Sequence, residues 1–208
     1  MPIQLYAFDT PNGRKISVAL EEMELPYDIR IVDIGRDEQF APEFLKISPN
    51  NKIPAIVDPD GPEGKPVSVF ESGAILIYLG EKTGKFWPGN LAGRIPVLEW
   101  LMFQVGDFGP VPGQVHHFAA IENEQDRRYG LERYLKQTYR LYGVMNRRLA
   151  DHAFFADVIS IADFAILGWA WRHPRHKIDL ADYANVKRWY ETMMARPGVQ
   201  RRFAAKLR

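Results

Sequence analysis

The chain has 208 residues, 46% of them hydrophobic and 25% charged, an ordinary globular composition with room for one large domain or two small ones. A formal net charge of +1 gives no basic field for nucleic acid or an anionic membrane, so a small molecule or a protein is the expected partner. Cysteine is absent, which excludes a disulfide framework, a thiolate metal site and a protein-borne redox thiol; any thiol chemistry has to arrive with a ligand.

No run approaches the roughly 18 apolar residues of a membrane span. The N-terminal Met1-Pro2-Ile3-Gln4-Leu5 lacks the basic and apolar regions of a secretion signal, so a cytoplasmic location is expected.

Along the chain, Ile3 to Phe8 is an apolar run of strand length, closed by Asp9-Thr10-Pro11-Asn12-Gly13. Lys15 to Met23 carries Ile16, Ala19, Leu20 and Met23 at the spacing of an amphipathic helix. Tyr27 to Ile34 alternates as a strand, and Pro42 to Ile47 makes a short helix. Ala55 to Asp58 and Val67 to Phe70 read as strands joined by the turn-forming Pro59-Asp60-Gly61-Pro62-Glu63-Gly64. Ser72 to Thr83 reads as a helix with Ser72 as its N-cap and Gly84 just past its end.

Beyond Gly84 the pattern changes. Phe86-Trp87-Pro88-Gly89-Asn90 is aperiodic, and after it come helical stretches at Ile95 to Val105, Tyr129 to Leu149, Ser160 to Trp171 and Tyr183 to Ala195. The expected organisation is an α/β domain over residues 1–84, a linker over 85–92 and an all-helical domain over 93–208.

Three short segments carry chemistry. Thr10-Pro11-Asn12-Gly13 lies where a strand gives way to a helix, whose free N–H groups and positive dipole end favour a thiolate; Thr10 and Asn12 add a hydroxyl and an amide donor. Asn50-Asn51-Lys52-Ile53-Pro54-Ala55 leads a proline into a strand, and a cis Ile53-Pro54 bond would turn the Ile53 backbone outward to pair with a peptide-like ligand. Glu71-Ser72-Gly73 opens the next helix, with Ser72 suited to a carboxylate and Glu71 to an ammonium group. Each segment alone also reads as an ordinary helix cap or turn. Together they suit a cysteine-containing tripeptide.

On these residues the chain resembles the glutathione transferase superfamily. It is most similar to the bacterial nu class and its relatives, which include a fungal nitrogen regulator. The resemblance runs through Thr10-Pro11-Asn12-Gly13, Gln39-Phe40, Ile47 to Ile56, Phe70 to Ile75, Gln114 to Phe118 and Glu132-Arg133-Tyr134. Ser160-Ile161-Ala162-Asp163 matches the capping box that the superfamily carries in its buried helix.

The resemblance implies a thioredoxin-like N-terminal domain, a helical C-terminal domain and a homodimer. It implies glutathione as co-substrate, as two molecules or one glutathione disulfide per subunit, with no metal. It places Thr10 and Asn12 beside the glutathione sulfur. Gln39, Lys52, Ile53, Glu71 and Ser72 would hold the peptide, and Arg133 would reach a ligand carboxylate. Nu-class proteins are glutathione-dependent disulfide-bond reductases acting on small thiols and disulfides, so that is the expected activity. Conventional conjugation to electrophiles, peroxide reduction and a non-catalytic binding module are the alternatives.

Other features read as structural. Tyr6, on the strand where other classes keep a thiol-activating tyrosine, reads here as a core residue. His116 and His117 are adjacent, point to different faces and lack a third ligand at useful spacing. Gly106 to Gly113 interrupts the first long helix of the second domain, either widening the cleft for a bulky second substrate or simply kinking the helix, and Arg172 to Lys177 and Arg201-Arg202 read as solvated basic segments.

Overall fold

The computed structural model describes residues 1–205 and divides into two compact units, one formed by Met1–Trp87 with the segment from Ala195 onward and the other by Pro88–Met194. The first unit is an α/β layer. Strand β1 (Ile3–Ala7) leads into helix α1 (Pro11–Met23), followed by β2 (Tyr27–Ile31), a one-turn α2 (Pro42–Leu45), β3 (Ala55–Asp58), β4 (Val67–Phe70) and α3 (Ser72–Thr83). The sheet order is β2-β1-β3-β4, with β1 and β2 parallel and β3 antiparallel to both β1 and β4.

Alternation in β1 sends Ile3, Leu5 and Ala7 fully inward, and α1 covers them with Ile16, Ala19, Leu20 and Met23. Thr10 caps α1 and Pro11 takes its first position, where no backbone N–H is needed. Gly84, at φ 66, closes α3 in the left-handed conformation that glycine adopts at no steric cost. At the other end the N-cap of α3 is Glu71, and Ser72, expected in that role, is the first helical residue. Glu71, at φ 69, takes the cap position one residue earlier than expected.

The second unit is helical: α4 (Leu91–Phe103), α5 (Pro110–Ala119), α6 (Glu124–Asp151), α7 (Ile161–Ala170) and α8 (Ala184–Met194). A π-helical turn over Gln104–Phe108 joins α4 to α5. The interruption expected at Gly106 to Gly113 is thus a change of helical register followed by a further helix. Helix α7 is apolar nearly all round and sits in the core, with Ser160 and Asp163 forming the expected capping box. The basic run at Arg172 is no solvated loop: it folds into a short 3₁₀ turn, His173–His176, that fully buries His176.

The last described helix, α9 (Pro197–Ala204), was expected in the helical domain and instead packs in the first unit. Charge explains the placement. Glu22 accepts from Arg196 Nε and Nη2 and from the Val199 N–H, while Arg201 pairs with Glu21. Arg14, itself paired with Asp9, donates to the Arg202 carbonyl and lies 4.9 Å over the Phe203 ring. Arg202 is consequently buried, where a solvated tail residue was expected. No helix among the described residues is long and apolar enough to cross a membrane.

Candidate functional site

The sheet topology determines where the chemistry gathers. Antiparallel pairing sets Tyr6 of β1 against Ala55, the first residue of β3, and Ala55 against Phe70, the last of β4. The end of β1, the start of β3 and the end of β4 therefore meet at one edge of the sheet. Each continues into one of the three segments singled out in the sequence. Asn12, Ser48, Lys52, Ile53, Pro54, Glu71 and Ser72 line a single cleft there, of ≈ 50 Å³.

At the α1 end, Asn12 is half-buried at the second helical position. Thr10 stands just before it and acts as the cap: its Oγ1 accepts from the Gly13 N–H at 3.2 Å. Gly13 is a close-approach position, since a Cβ there would lie 2.5 Å from the Phe8 carbonyl oxygen. On the loop before β3, Ile53-Pro54 is cis. Buried Ser48 donates from Oγ to the Lys52 carbonyl at 2.8 Å and holds that loop in shape.

At the α3 end, Glu71 takes φ 69 and ψ 118, a conformation that costs a residue with a Cβ about 1–3 kcal/mol. Strain of this kind persists where the surroundings over-determine it, commonly at ligand sites. The Glu71 side chain is exposed and accepts from Asn50 Nδ2 at 3.3 Å. Because it leaves the first turn of α3 without a side-chain cap, the positive end of that helix stays available beside Ser72.

Two groups, one lining the cleft and one behind it, give little sign of their role in the sequence. Ser48 lay inside a singled-out stretch without a role. Lys15 was read only as the start of α1, yet its side chain is 2% exposed and its Nζ donates to Ser72 Oγ at 3.1 Å. Burial pushes the Lys15 ammonium down to about 7, against the opposing attraction of Glu71. The available signal was a cation four residues before Ala19, on the face that α1 turns inward.

The remaining expected site residues lie outside this cleft. Gln39, half-buried after β2, donates from Nε2 to Asp37, and its buried Oε1 has no hydrogen-bond partner among the described residues. Arg133 belongs to the second unit, exposed on α6 with Tyr129, Glu132, Lys136 and Gln137 around it. Tyr6 packs toward Val32, Phe44 and Ala55, its ring 6.2 Å from that of Phe44, in line with the core reading.

In the second unit His116 stacks on Trp169 and His176, and His176 Nδ1 lies 3.0 Å from the Tyr142 hydroxyl, while His117 is exposed against Phe118. Burial pushes His116 down to about 4 and His176 down to about 3, helped by the positive charges of Arg172 and Arg175. Both imidazoles are neutral packing groups at physiological pH.

Residues 10–82 match the family described as glutathione S-transferase, N-terminal domain, and residues 97–197 match glutathione S-transferase, C-terminal domain. The chain belongs to the glutathione S-transferase family. Disulfide-bond oxidoreductase YfcG of Escherichia coli is 50% identical over 197 residues, covering 94% of this chain and 91% of the relative. Disulfide-bond oxidoreductase YghU of the same organism is 36% identical, covering 96% and 73%.

Among solved structures, a glutathione transferase from Burkholderia graminis with two glutathione molecules bound per subunit superposes with a TM-score of 0.91 at 40% identity, covering 98% of this chain and 88% of its own. A Pseudomonas putida glutathione transferase with one glutathione disulfide per subunit gives 0.90 at 40% identity, covering 97% and 90%. Family membership accounts for the α/β unit followed by helices, and the N-terminal family match contains every residue lining the cleft.

Proposed function

We propose that this protein reduces disulfides with glutathione, holding the glutathione thiolate at the start of α1 beside Asn12. The observation that carries this reading is the convergence of Asn12, Lys52, Ile53, Glu71 and Ser72 on one cleft in a chain that has no cysteine of its own. The names of the two Escherichia coli relatives and the glutathione found in the solved structures support it.

A free thiol near pKa 8.5 is a poor nucleophile at neutral pH, and a helix N-terminus lowers that value by stabilising the thiolate. Asn12 donates to the sulfur from its side-chain amide, while Thr10 caps the helix and holds the turn that presents Asn12. The bound thiolate attacks one sulfur of the disulfide substrate; a new S–S bond forms as the other sulfur leaves as a thiolate and takes up a proton. A second glutathione thiolate then attacks the glutathione sulfur of the mixed disulfide, releasing glutathione disulfide and the second substrate thiol. The substrate is reduced by two electrons and two glutathiones are oxidised. The protein contributes alignment and thiolate stabilisation.

In this reading the Ile53 backbone pairs with the peptide, Lys52 and Gln39 bind its polar groups, and Glu71 and Ser72 take its amino-acid head group. Arg133 serves a carboxylate of the second glutathione or of the disulfide form. No metal takes part, and the working form is a cytoplasmic homodimer. Purified protein given hydroxyethyl disulfide and glutathione, with glutathione disulfide formation followed by coupled NADPH oxidation, is expected to turn over well above the uncatalysed exchange. A rate equal to that exchange would reject the proposal.

A further inference from the structure

Lysine is rarely fully buried, and Lys15 lies 2% exposed behind the cleft. It follows Asn12 by three residues on α1, so the helix that presents Asn12 at the cleft also carries this cation into the interior. Its Nζ is 3.1 Å from Ser72 Oγ, and Ser72 itself lines the cleft.

Hydrogen-bond chemistry sets the direction of this contact. In its protonated form Lys15 only donates, so Ser72 Oγ is then the acceptor and the hydroxyl proton of Ser72 is left to donate elsewhere. Ser72 lines the cleft, so that proton is available to a ligand bound there. The uncapped first turn of α3 adds positive potential at the same spot. A cation, a hydroxyl and a helix N-terminus are thus aligned behind one point of the cleft. Burial disfavours the charged form of Lys15 and the Glu71 carboxylate opposes that shift, so an anion arriving at Ser72 favours the charged form further.

We propose that Lys15 is a positioning residue for the ligand carboxylate: its buried ammonium turns the Ser72 hydroxyl toward the cleft and places a positive charge behind the head of α3. The proposal rests on reading the cleft as a glutathione site and assigns the amino-acid carboxylate of that ligand to Ser72. Lys15 touches neither the thiol nor the disulfide. Its effect therefore falls on ligand affinity and on KM for glutathione, with kcat largely preserved.

The test is a double-mutant cycle on the full-length protein with Lys15→Met, Ser72→Ala and the pair, titrated calorimetrically with S-methylglutathione, which has no ionisable thiol. Lys15→Met is expected to weaken binding about tenfold, as for loss of one charge-assisted contact. In the Ser72→Ala background the same change is expected to cost less than about twofold, because the two residues act as one unit. Lys15→Arg, which keeps the charge, is expected to restore most of the affinity.

Melting temperature separates this role from a packing role. Lys15→Met removes a buried cation together with its hydrogen bond to Ser72, so the melting point is read beside the affinity of the folded protein. A lowered melting point with unchanged affinity in the folded protein would overturn the proposal in favour of a structural lysine. Losses that multiply across the cycle would also overturn it. If Lys15→Met does not fold, Lys15→Gln decides: parent-like affinity in that protein refutes the role of the charge. Failure of the unaltered protein to bind S-methylglutathione would instead reject the glutathione reading itself.

Discussion

Asp163→Ala is expected to be among the most destabilising single changes in the second unit. The Asp163 carboxylate is fully buried and accepts from the Ser160 N–H at 2.9 Å, Ser160 Oγ at 3.2 Å, the Phe155 N–H at 3.3 Å and Trp189 Nε1 at 2.9 Å. The serine hydroxyl can reorient, since it already accepts from the Ala162 N–H. The other three donors cannot move, and alanine leaves each of them buried without an acceptor. At about 1–3 kcal/mol for each orphaned group, and with some return from removing a desolvated charge, the net loss is about 3–5 kcal/mol.

For a chain of this size that corresponds to a fall of roughly 6–20 °C in melting temperature. Burial pushes the Asp163 carboxyl up to about 6 in spite of its donors, so calorimetry at pH 7.5 keeps it ionised. Asp163→Asn retains an acceptor on one side but sets an NH₂ against the Ser160 N–H, and is expected to fall between parent and alanine variant. A loss below about 1 kcal/mol for Asp163→Ala would refute the reasoning, because it would mean that the donors find other partners.

Acid is expected to weaken the second unit through its buried imidazoles. His176 and His116 have folded pKa values near 3 and 4, below the ordinary 6.5, so beneath pH 6.5 the unfolded chain binds more protons and stability falls with pH. For His176 alone the loss between pH 7.5 and 5 is about 2 kcal/mol. Urea melts of His176→Phe should show an acid limb shallower by that amount, the proton taken up by Asp163 being common to both proteins; an equally steep limb would contradict this. Gly13→Ala should destabilise by about 1–3 kcal/mol, because its Cβ would meet the backbone oxygen of Phe8 and no rotamer relieves that; parent-like urea midpoints would show that the turn yields. Asn12→Ala should lower kcat for disulfide reduction about tenfold or more while changing glutathione affinity only a few-fold, and equal losses in both would make Asn12 a purely structural residue.

Local punctuation made much of the first unit legible. Thr10-Pro11-Asn12-Gly13 announces a helix start in its own chemistry, and the cleft residues on either side of Pro54 and Glu71 follow from the same kind of signal. The helix at α5 was hidden because Pro110, Pro112 and Gly113 read as breakers, although both prolines occupy the first turn, where backbone N–H groups have no helical partner. Helix α9 was hidden for another reason: its basic residues look solvated until Glu21 and Glu22 of α1, far away in sequence, become their partners. Lys15 and His176 belong to the same class. A charged or polar residue gives no local sign of being buried, and only the packing of distant elements reveals it.

The central claim is that the start of α1 holds the sulfur of glutathione. A crystal structure of the protein soaked with glutathione disulfide tests it most directly. One ligand sulfur is expected within about 3.5 Å of the Asn12 side-chain nitrogen, with an amino-acid carboxylate on Ser72 and the ligand backbone against Ile53. Glutathione disulfide bound elsewhere, or seated in the cleft with both sulfurs turned away from Asn12, would contradict the account.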